Sequence, residues 1–310
     1  MGKVYILSDE EKASLKALGL FVSICRQKKP DGKMTCILFG FATGSTPERF
    51  YVLLIQVARD GELSFAGAQA VNLDEYVGLL PSHKQSYAFY LTPIYKQLGI
   101  DMGDVLFPTC CVNSQDEILK TCLRMERWIE KHGPVFIWIL GIGENGHMAF
   151  IEPSPLLPSE NGRQRYHAEE LSDSTLEANS RNFGNDKNAV PDKAITAGVW
   201  TIEESEHLIQ LAFGPKKQWP VTFSVLGPMT PLVPSSLLQD HPDWNLVIDR
   251  EAGEGILGYL GEKKIRPDDQ GFYRVVSEAG ISHQIQVSRE IAVPFGIPTR
   301  TQAEETADLR

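Results

Sequence analysis

The sequence predicts an α/β fold with a mostly parallel sheet and helices on both faces, and three observations carry that reading. Short apolar runs alternate with helix-period segments through residue 140, and the runs are too brief to be helices themselves. Glycine-rich or hydroxyl-rich stretches follow those runs directly, where open α/β sheets place their ligands. With 310 residues and 42% hydrophobic content, the chain can bury the core of one large domain or two small ones.

Ser8-Asp-Glu-Glu11 has capping-box spacing and precedes Leu15, Leu18, Phe21, Val22 and Cys25, which recur at a helical period. The run Met34 to Gly40 reads as a buried strand. A helix follows, with Thr46 as its cap, Pro47 at its first position and Phe50, Leu53, Leu54, Val57 and Ala58 on its buried face. Residues 68–73 read as a second strand, ending in Asp74-Glu-Tyr-Val-Gly78. Ser114-Gln-Asp-Glu117 repeats the capping-box spacing ahead of Ile118, Cys122, Met125 and Ile129.

Val135 to Leu140 is a third buried strand, and residues 194–199 and 207–213 read as a pair of further strands. Between them, residues 153–193 are polar, with prolines at 153, 155 and 158, and read as a loop-rich excursion or mobile lid. The pattern weakens after Asp249, and Arg300 onward reads as a frayed end. The expected division is one α/β domain over 1–260 and a C-terminal extension over 261–310.

No apolar run approaches eighteen residues, so no membrane-spanning helix is expected, and the first apolar stretch is too short for a secretory signal. Five cysteines without metal-ligand spacing read as free thiols in a reducing, cytoplasmic compartment. A net charge of −10 argues against a nucleic-acid surface. It leaves room for a small anionic substrate, because local cations and helix N-termini outweigh a distant field.

Chemistry concentrates at three strand ends. Gly40-Phe-Ala-Thr-Gly-Ser-Thr-Pro47 lacks the lysine of a Walker loop, yet Gly44 permits close backbone approach. Thr43, Ser45 and Thr46 add hydroxyls in front of a helix N-terminus, which suits a phosphate. Asp74-Glu75 puts a carboxylate where it can take a proton from carbon beside a carbonyl. Gly141-Ile-Gly-Glu-Asn-Gly-His147 fits GxGxxG in its letters, but the prolines after it do not suit the helix of a dinucleotide site. Its histidine precedes Glu152 by five residues, a gap that favours a contact raising the His147 pKa and fixing its tautomer.

The order and spacing of these segments resemble the glucosamine-6-phosphate deaminase/isomerase family. The resemblance rests on Thr43-Gly-Ser-Thr-Pro47, Asp74-Glu-Tyr-Val-Gly78 with Ser86-Tyr87, and Gly141 to His147 with Glu152-Pro153. Asn179-Ser-Arg181, Ile195-Thr-x-Gly198 and Gly214-Pro-Lys-Lys217 extend it in the same order, over about residues 35–250. It implies a Rossmann-like fold that converts an aminosugar 6-phosphate into the ketose 6-phosphate and ammonia. By that resemblance Thr43, Gly44, Ser45 and Thr46 wrap the phosphate and Arg181 and Lys217 supply cations. Asp74 moves the proton between C1 and C2, His147 opens the sugar ring and Glu152 partners it. No metal or nucleotide cofactor is implied, and family members are often homo-oligomers.

This chain departs from the family pattern at three places. Asn145 stands where an aspartate would pair with the histidine, Ile151 replaces a polar asparagine, and Ser154-Pro-Leu-Leu157 replaces consecutive serines of the allosteric members. Three other readings share the scaffold: a galactosamine-6-phosphate isomerase, a 6-phosphogluconolactonase, and a non-catalytic sugar-phosphate sensor. Lactonases usually carry Asp-Glu-Arg where this chain has Asp74-Glu75-Tyr76, and no basic DNA-reading segment precedes residue 35 to suit a regulator.

Overall fold

The computed structural model describes residues 2–155 and 165–300. The chain opens on β1 (Lys3–Leu7) and α1 (Glu10–Lys28), then β2 (Leu38–Phe41), α2 (Glu48–Arg59), β3 (Gln69–Asn72) and the short β4 (Asp74–Tyr76). α3 (Tyr87–Leu98), β5 (Val105–Leu106), α4 (Gln115–His132) and β6 (Ile137–Leu140) follow. Next come β7 (Tyr166–Glu170), α5 (Asp173–Ser180), β8 (Lys193–Ala197), α6 (Val199–Glu203), β9 (His207–Ala212) and α7 (Gln218–Leu226). β10 (Trp244–Asp249), α8 (Glu254–Lys263), β11 (Phe272–Val276), β12 (Ser282–Val287) and α9 (Arg289–Ala292) complete it.

Among the described residues, nine strands form one sheet in the order β11-β12-β1-β10-β9-β6-β2-β3-β5, parallel except for the β11–β12 pair. Period-two alternation sends neighbouring side chains to opposite faces. Phe39, Phe41, Ile137, Ile139, Ile209 and Leu211 enter one core with Phe21, Phe50 and Leu91 of α1, α2 and α3. Leu38, Trp138, Leu140, Leu208, Leu246 and Ile248 enter the other, with Met125, Val221 and Ile256 of α4, α7 and α8. Both faces are covered, so these strands are apolar throughout rather than alternating. The expected α/β class with a mostly parallel sheet and helices on both faces is what forms.

The strand order also fixes the crevice. From β2 the chain proceeds outward to β3 and β5, then returns to lay β6 on the opposite side of β2. Such a reversal is a topological switch point, and ligands bind outside the carboxyl ends of the strands there. The loops after β2 and β6 therefore leave the sheet side by side. Close packing supports the pair: Gly40 faces Trp138 in register, and a Cβ on Gly40 would overlap the buried indole ring.

A second, antiparallel sheet, β4-β8-β7, lies beyond β3. The strands expected at 194–199 and 207–213 therefore join different sheets, β8 in this one and β9 in the main one. The polar stretch expected as a loop-rich excursion contains β7 and α5; its residues 156–164, including Leu157 and Pro158, lie outside the described residues. The end expected to fray from Arg300 lies outside them from residue 301. The residues from 261 onward contribute β11 and β12, and β12 pairs with β1 from Lys3↔Gln284 to Ile6↔Val287. No helix among the described residues is long and apolar enough to cross a membrane.

Several local expectations shift for identifiable reasons. The first helix is capped by Asp9 rather than Ser8: its carboxylate accepts from Lys12 N at 2.8 Å, while Glu11 is held by Arg49 at 2.5 and 2.6 Å. Its buried face is Ala13, Ala17, Phe21, Ile24 and Cys25, with Leu15 exposed, because two alanines let the helix sit close to the sheet. The strand expected from Met34 begins only at Leu38, since Cys36 has φ +59°, which an extended strand cannot contain. Ser114 caps its helix as expected, accepting from Glu117 N.

Candidate active site

The loop after β2 is tied from behind. Tyr51 Oη donates to the Ala42 carbonyl at 2.6 Å and Tyr90 Oη donates to the Gly44 carbonyl at 3.3 Å. Gly44 has φ +97°, a left-handed conformation that favours glycine, and a Cβ there would meet nothing within 4 Å. Thr46 does not cap α2. The helix starts at Glu48 behind Pro47, with no side-chain cap bond. Among the described residues the hydroxyls of Thr43, Ser45 and Thr46 make no hydrogen bond to protein, and all three line the cavity. Uncapped backbone N–H groups and open hydroxyls around a helix N-terminus form an anion site.

Asp74 and Glu75 point apart, as neighbours in a strand must. Glu75 is wholly buried and satisfied: its Oε1 accepts from Tyr76 N and Tyr87 N, both at 3.0 Å, and its Oε2 accepts from Ser86 Oγ at 2.7 Å and Ala88 N at 2.9 Å. A carboxylate at the N-terminus of α3 complements the helix dipole and fixes the strand to the helix. Desolvation still raises its pKa against those four bonds. Asp74 faces the cavity, 7% exposed. Desolvation first, and the Glu75 charge second, push its carboxyl well above the ordinary carboxylate range.

Gly141 to His147 forms the opposite wall. The buried amide of Gln210, on β9, donates from Nε2 to the Gly141 carbonyl and to Ser235 Oγ, both at 3.1 Å, and accepts from Trp244 Nε1 at 2.9 Å. Gly143 N donates to the His147 carbonyl at 2.8 Å, folding the loop back on itself. The imidazole lies against Gly143 so closely that a Cβ there would overlap the ring. Desolvation pulls the His147 pKa down to about 4, assisted by the Lys217 charge and opposed by Glu152 and Glu144. The expectation of a raised His147 pKa therefore fails: burial outweighs the carboxylate.

The expected His147–Glu152 contact is also replaced. Glu152, 6% exposed, stands behind the cavity wall rather than in it. Its Oε2 accepts from Asn145 Nδ2 at 2.9 Å and Ser172 Oγ at 3.0 Å, and its Oε1 accepts from Ser172 N at 3.2 Å. Asn145 Oδ1 accepts from the backbone N–H of His147 at 3.1 Å, which turns its amide NH2 toward Glu152. Asn145 thus serves the carboxylate and the loop, and makes no hydrogen bond to the imidazole ring among the described residues. The ring's partner is Thr175 Oγ1, 3.4 Å from Nδ1.

One cavity of about 170 Å³ gathers Thr43, Gly44, Ser45, Thr46, Asp74, His147, Arg181 and Lys217, while Asn145 and Glu152 lie behind it. Of the two adjacent lysines, Lys217 lines the cavity with its pKa lowered by desolvation, whereas the exposed Lys216 pairs with Glu144 at 3.3 Å. The sequence reading missed Glu75 as an anchor, and Ser172, Thr175 and Gln210. The spacing Ser172-x-x-Thr175 ahead of a helix was a usable signal, because Ser172 caps α5 by accepting from Thr175 N at 3.3 Å. Nothing in the sequence marked Gln210, whose role follows from β9 lying beside β6.

Comparison with known proteins places the chain in a family. No family model matches the sequence. Glucosamine-6-phosphate deaminase 2 of Giardia intestinalis is 42% identical over 224 residues, covering 71% of this chain and 81% of that protein. The glucosamine-6-phosphate deaminase of Rhodopirellula baltica is 36% identical over 251 residues, covering 81% and 94%. Among solved structures, a monomeric glucosamine-6-phosphate deaminase has a TM-score of 0.73 at 32% identity, covering 82% of this chain and 99% of that one. A 6-phosphogluconolactonase from Leishmania guyanensis reaches 0.61 at 20% identity over 83% and 99%, a likeness of fold alone. The chain belongs to the glucosamine-6-phosphate deaminase family.

Proposed function

We propose that this protein isomerises and deaminates glucosamine 6-phosphate, giving fructose 6-phosphate and ammonia. The observation that carries the reading is the Asp74 carboxylate, buried at the floor of a cavity whose other end offers open hydroxyls and a helix N-terminus. A phosphate bound at Thr43 to Thr46, with Lys217 and Arg181 beside it, fixes one end of a six-carbon sugar. The reacting carbons then fall near the carboxylate.

His147 is neutral at physiological pH and works as the ring-opening group. It takes the proton of the anomeric hydroxyl and returns one to the ring oxygen as the C1–O bond of the ring breaks. Asp74 removes the proton from C2, giving an enolamine, and delivers it to C1. The resulting C2 imine is hydrolysed by water, releasing ammonia. A carboxylate held above its usual pKa binds the transferred proton more firmly than an ordinary one, which suits a shuttle between two carbons. Five unpaired cysteines suit a reducing compartment, and we place the reaction in the cytoplasm.

The test is a panel of glucosamine 6-phosphate, galactosamine 6-phosphate and 6-phosphogluconolactone, with ammonia, ketose phosphate and acid release measured separately. Ammonia and fructose 6-phosphate from the first substrate, in equal amounts, are expected. Tight binding without turnover on any member would replace the enzyme with a sugar-phosphate sensor.

A further inference from the structure

We propose that Gln210, oriented by Trp244, is a positioning residue that clamps both ends of the loop 141–147 and so keeps His147 placed for ring opening. The inference rests on the ring-opening role given to His147 and names what holds that ring where it is. Gln210 pairs with Leu140, the last residue of β6, and with Leu246 of β10. It is 0% exposed, at a strand position whose neighbours Leu140, Leu208 and Leu246 belong to one apolar core. A site covered in that way ordinarily takes an apolar residue. Here the side chain is an amide, and it reaches one residue past Leu140 to the carbonyl of Gly141.

The orientation of the amide is fixed by two partners that each have a single role. Trp244 Nε1–H can only donate, and it meets Gln210 Oε1 at 2.9 Å. The Gly141 carbonyl can only accept, and it meets Nε2 at 3.1 Å. A flipped amide would set donor against donor and acceptor against acceptor. Nε2 also donates to Ser235 Oγ at 3.1 Å, and Ser235 N donates to the Gly146 carbonyl at 3.1 Å. Gly141 and Gly146 are thus tied to one buried amide, the first directly and the second through a serine. Trp244 is itself seated. Its ring meets His283 in a T-shaped pair with centroids 5.6 Å apart, and a Cβ on Gly2 would overlap the indole.

His147 inherits this geometry. Its imidazole lies against Gly143, two residues beyond the clamped carbonyl, and Gly146, held by Ser235, immediately precedes it. A shift of the Gly141 carbonyl therefore moves the surface on which the ring rests. Neither Gln210 nor Trp244 lines the cavity, so both act through the loop and not on the substrate. The hydroxyls of Thr43, Ser45 and Thr46 stand on another loop, so loss of the clamp leaves the phosphate end unchanged.

The deciding experiment joins steady-state kinetics on glucosamine 6-phosphate to an NMR titration of the His147 ring in the free protein, assigned by comparison with His147→Gln. Gln210→Met fills the space and removes all three bonds. It is expected to lower kcat about tenfold or more and to keep KM within about twofold. Desolvation holds the His147 pKa at about 4; in Gln210→Met water reaches the loosened loop and the pKa moves toward its ordinary 6.5. Gln210→Glu separates positioning from packing. As a neutral acid it again accepts from Trp244 and donates to Gly141, so its kcat relative to wild type recovers as pH falls. Trp244→Phe keeps a ring and loses the donor, and a smaller fall of the same kind is expected. A lowered melting temperature in Gln210→Met, with kcat and the His147 titration unchanged, would make Gln210 a packing residue and overturn the clamp. So would a Gln210→Glu that is no more active in acid than Gln210→Met. Should Gln210→Met not fold, Gln210→Glu and Trp244→Phe carry the same test. If wild type deaminates nothing, the functional reading falls alone, and the His147 titration still decides the clamp.

Discussion

The two walls of the cavity are built on opposite plans. On the wall after β2, the hydroxyls of Thr43, Ser45 and Thr46 make no hydrogen bonds to protein among the described residues, and α2 starts without a side-chain cap. On the wall after β6, Asn145, His147, Glu152, Ser172 and Thr175 bond to one another. Under the proposed function, the unsatisfied wall would gain its partners from the ligand and set affinity. The self-satisfied wall would gain little from binding, keep its groups oriented for proton transfer and set the rate. Asp74 belongs to neither network and lies between them.

The sharpest test of that division is Asp74→Asn. Turnover is expected to fall about 10²–10⁴-fold while affinity for glucosamine 6-phosphate, read by calorimetry, stays within severalfold. An equal loss of affinity would move Asp74 onto the binding side. The same variant carries a stability signature. A carboxyl whose folded pKa is raised contributes stability below its unfolded pKa, and that contribution is lost as pH rises through the folded value. Asp74→Asn removes the loss, so its melting temperature should exceed that of wild type by a margin that widens from the acidic range upward.

Lys217→Met addresses the binding wall. Removing a charge-assisted contact to phosphate, worth about 1.5–3 kcal/mol, should raise KM roughly 10–150-fold and leave kcat within severalfold. A fall in kcat at constant KM would erase the distinction between the walls. Asn145→Asp addresses the other side. It replaces the donor to Glu152 with a second carboxylate 2.9 Å away, and like charges at that range raise a pKa. Near neutral pH kcat should fall about tenfold, with the loss shrinking as pH drops and the pair gains a proton that restores a donor to Glu152. A gain in activity would show that the amide is not the better partner.

The smallest effect is expected from Glu75→Gln, which leaves both walls intact but replaces one acceptor oxygen with a donor. Ala88 N–H or Tyr87 N–H then loses its partner, a cost of about 1–3 kcal/mol read as a lower melting temperature, with KM nearly unchanged.

The sequence revealed the unsatisfied wall more fully than the satisfied one. Thr43 to Thr46, Asp74 and the Gly141 to His147 loop were all legible, because strand ends, glycine placement and hydroxyl runs are local signals. The parallel sheet was legible through the alternation of short apolar runs with helices. The contacts behind the histidine were not, since His147 meets Thr175 across 28 positions and Glu152 meets Ser172 across 20. The Thr46 cap was misread because Pro47 and the Ser45 carbonyl close the turn without a side chain, with Glu48 N donating to Ser45 O at 3.3 Å. Pairing Glu152 directly with His147 followed the short gap in sequence. Asn145 and Ser172 claim that carboxylate instead.

The place of β1 in the sheet has a consequence for how the polypeptide is made. β1 is an interior strand, flanked by β10 at residues 244–249 and by β12 at residues 282–287. Neither neighbour exists while the first two hundred residues leave the ribosome. During that interval an apolar strand, Lys3–Leu7, has α1 packed behind it but no backbone partner on either side. Unpaired strands of this kind recruit foreign ones. A nascent chain halted before residue 244 therefore presents a sticky ribbon at residues 3–7, and β10 and β12 are the strands that seal it.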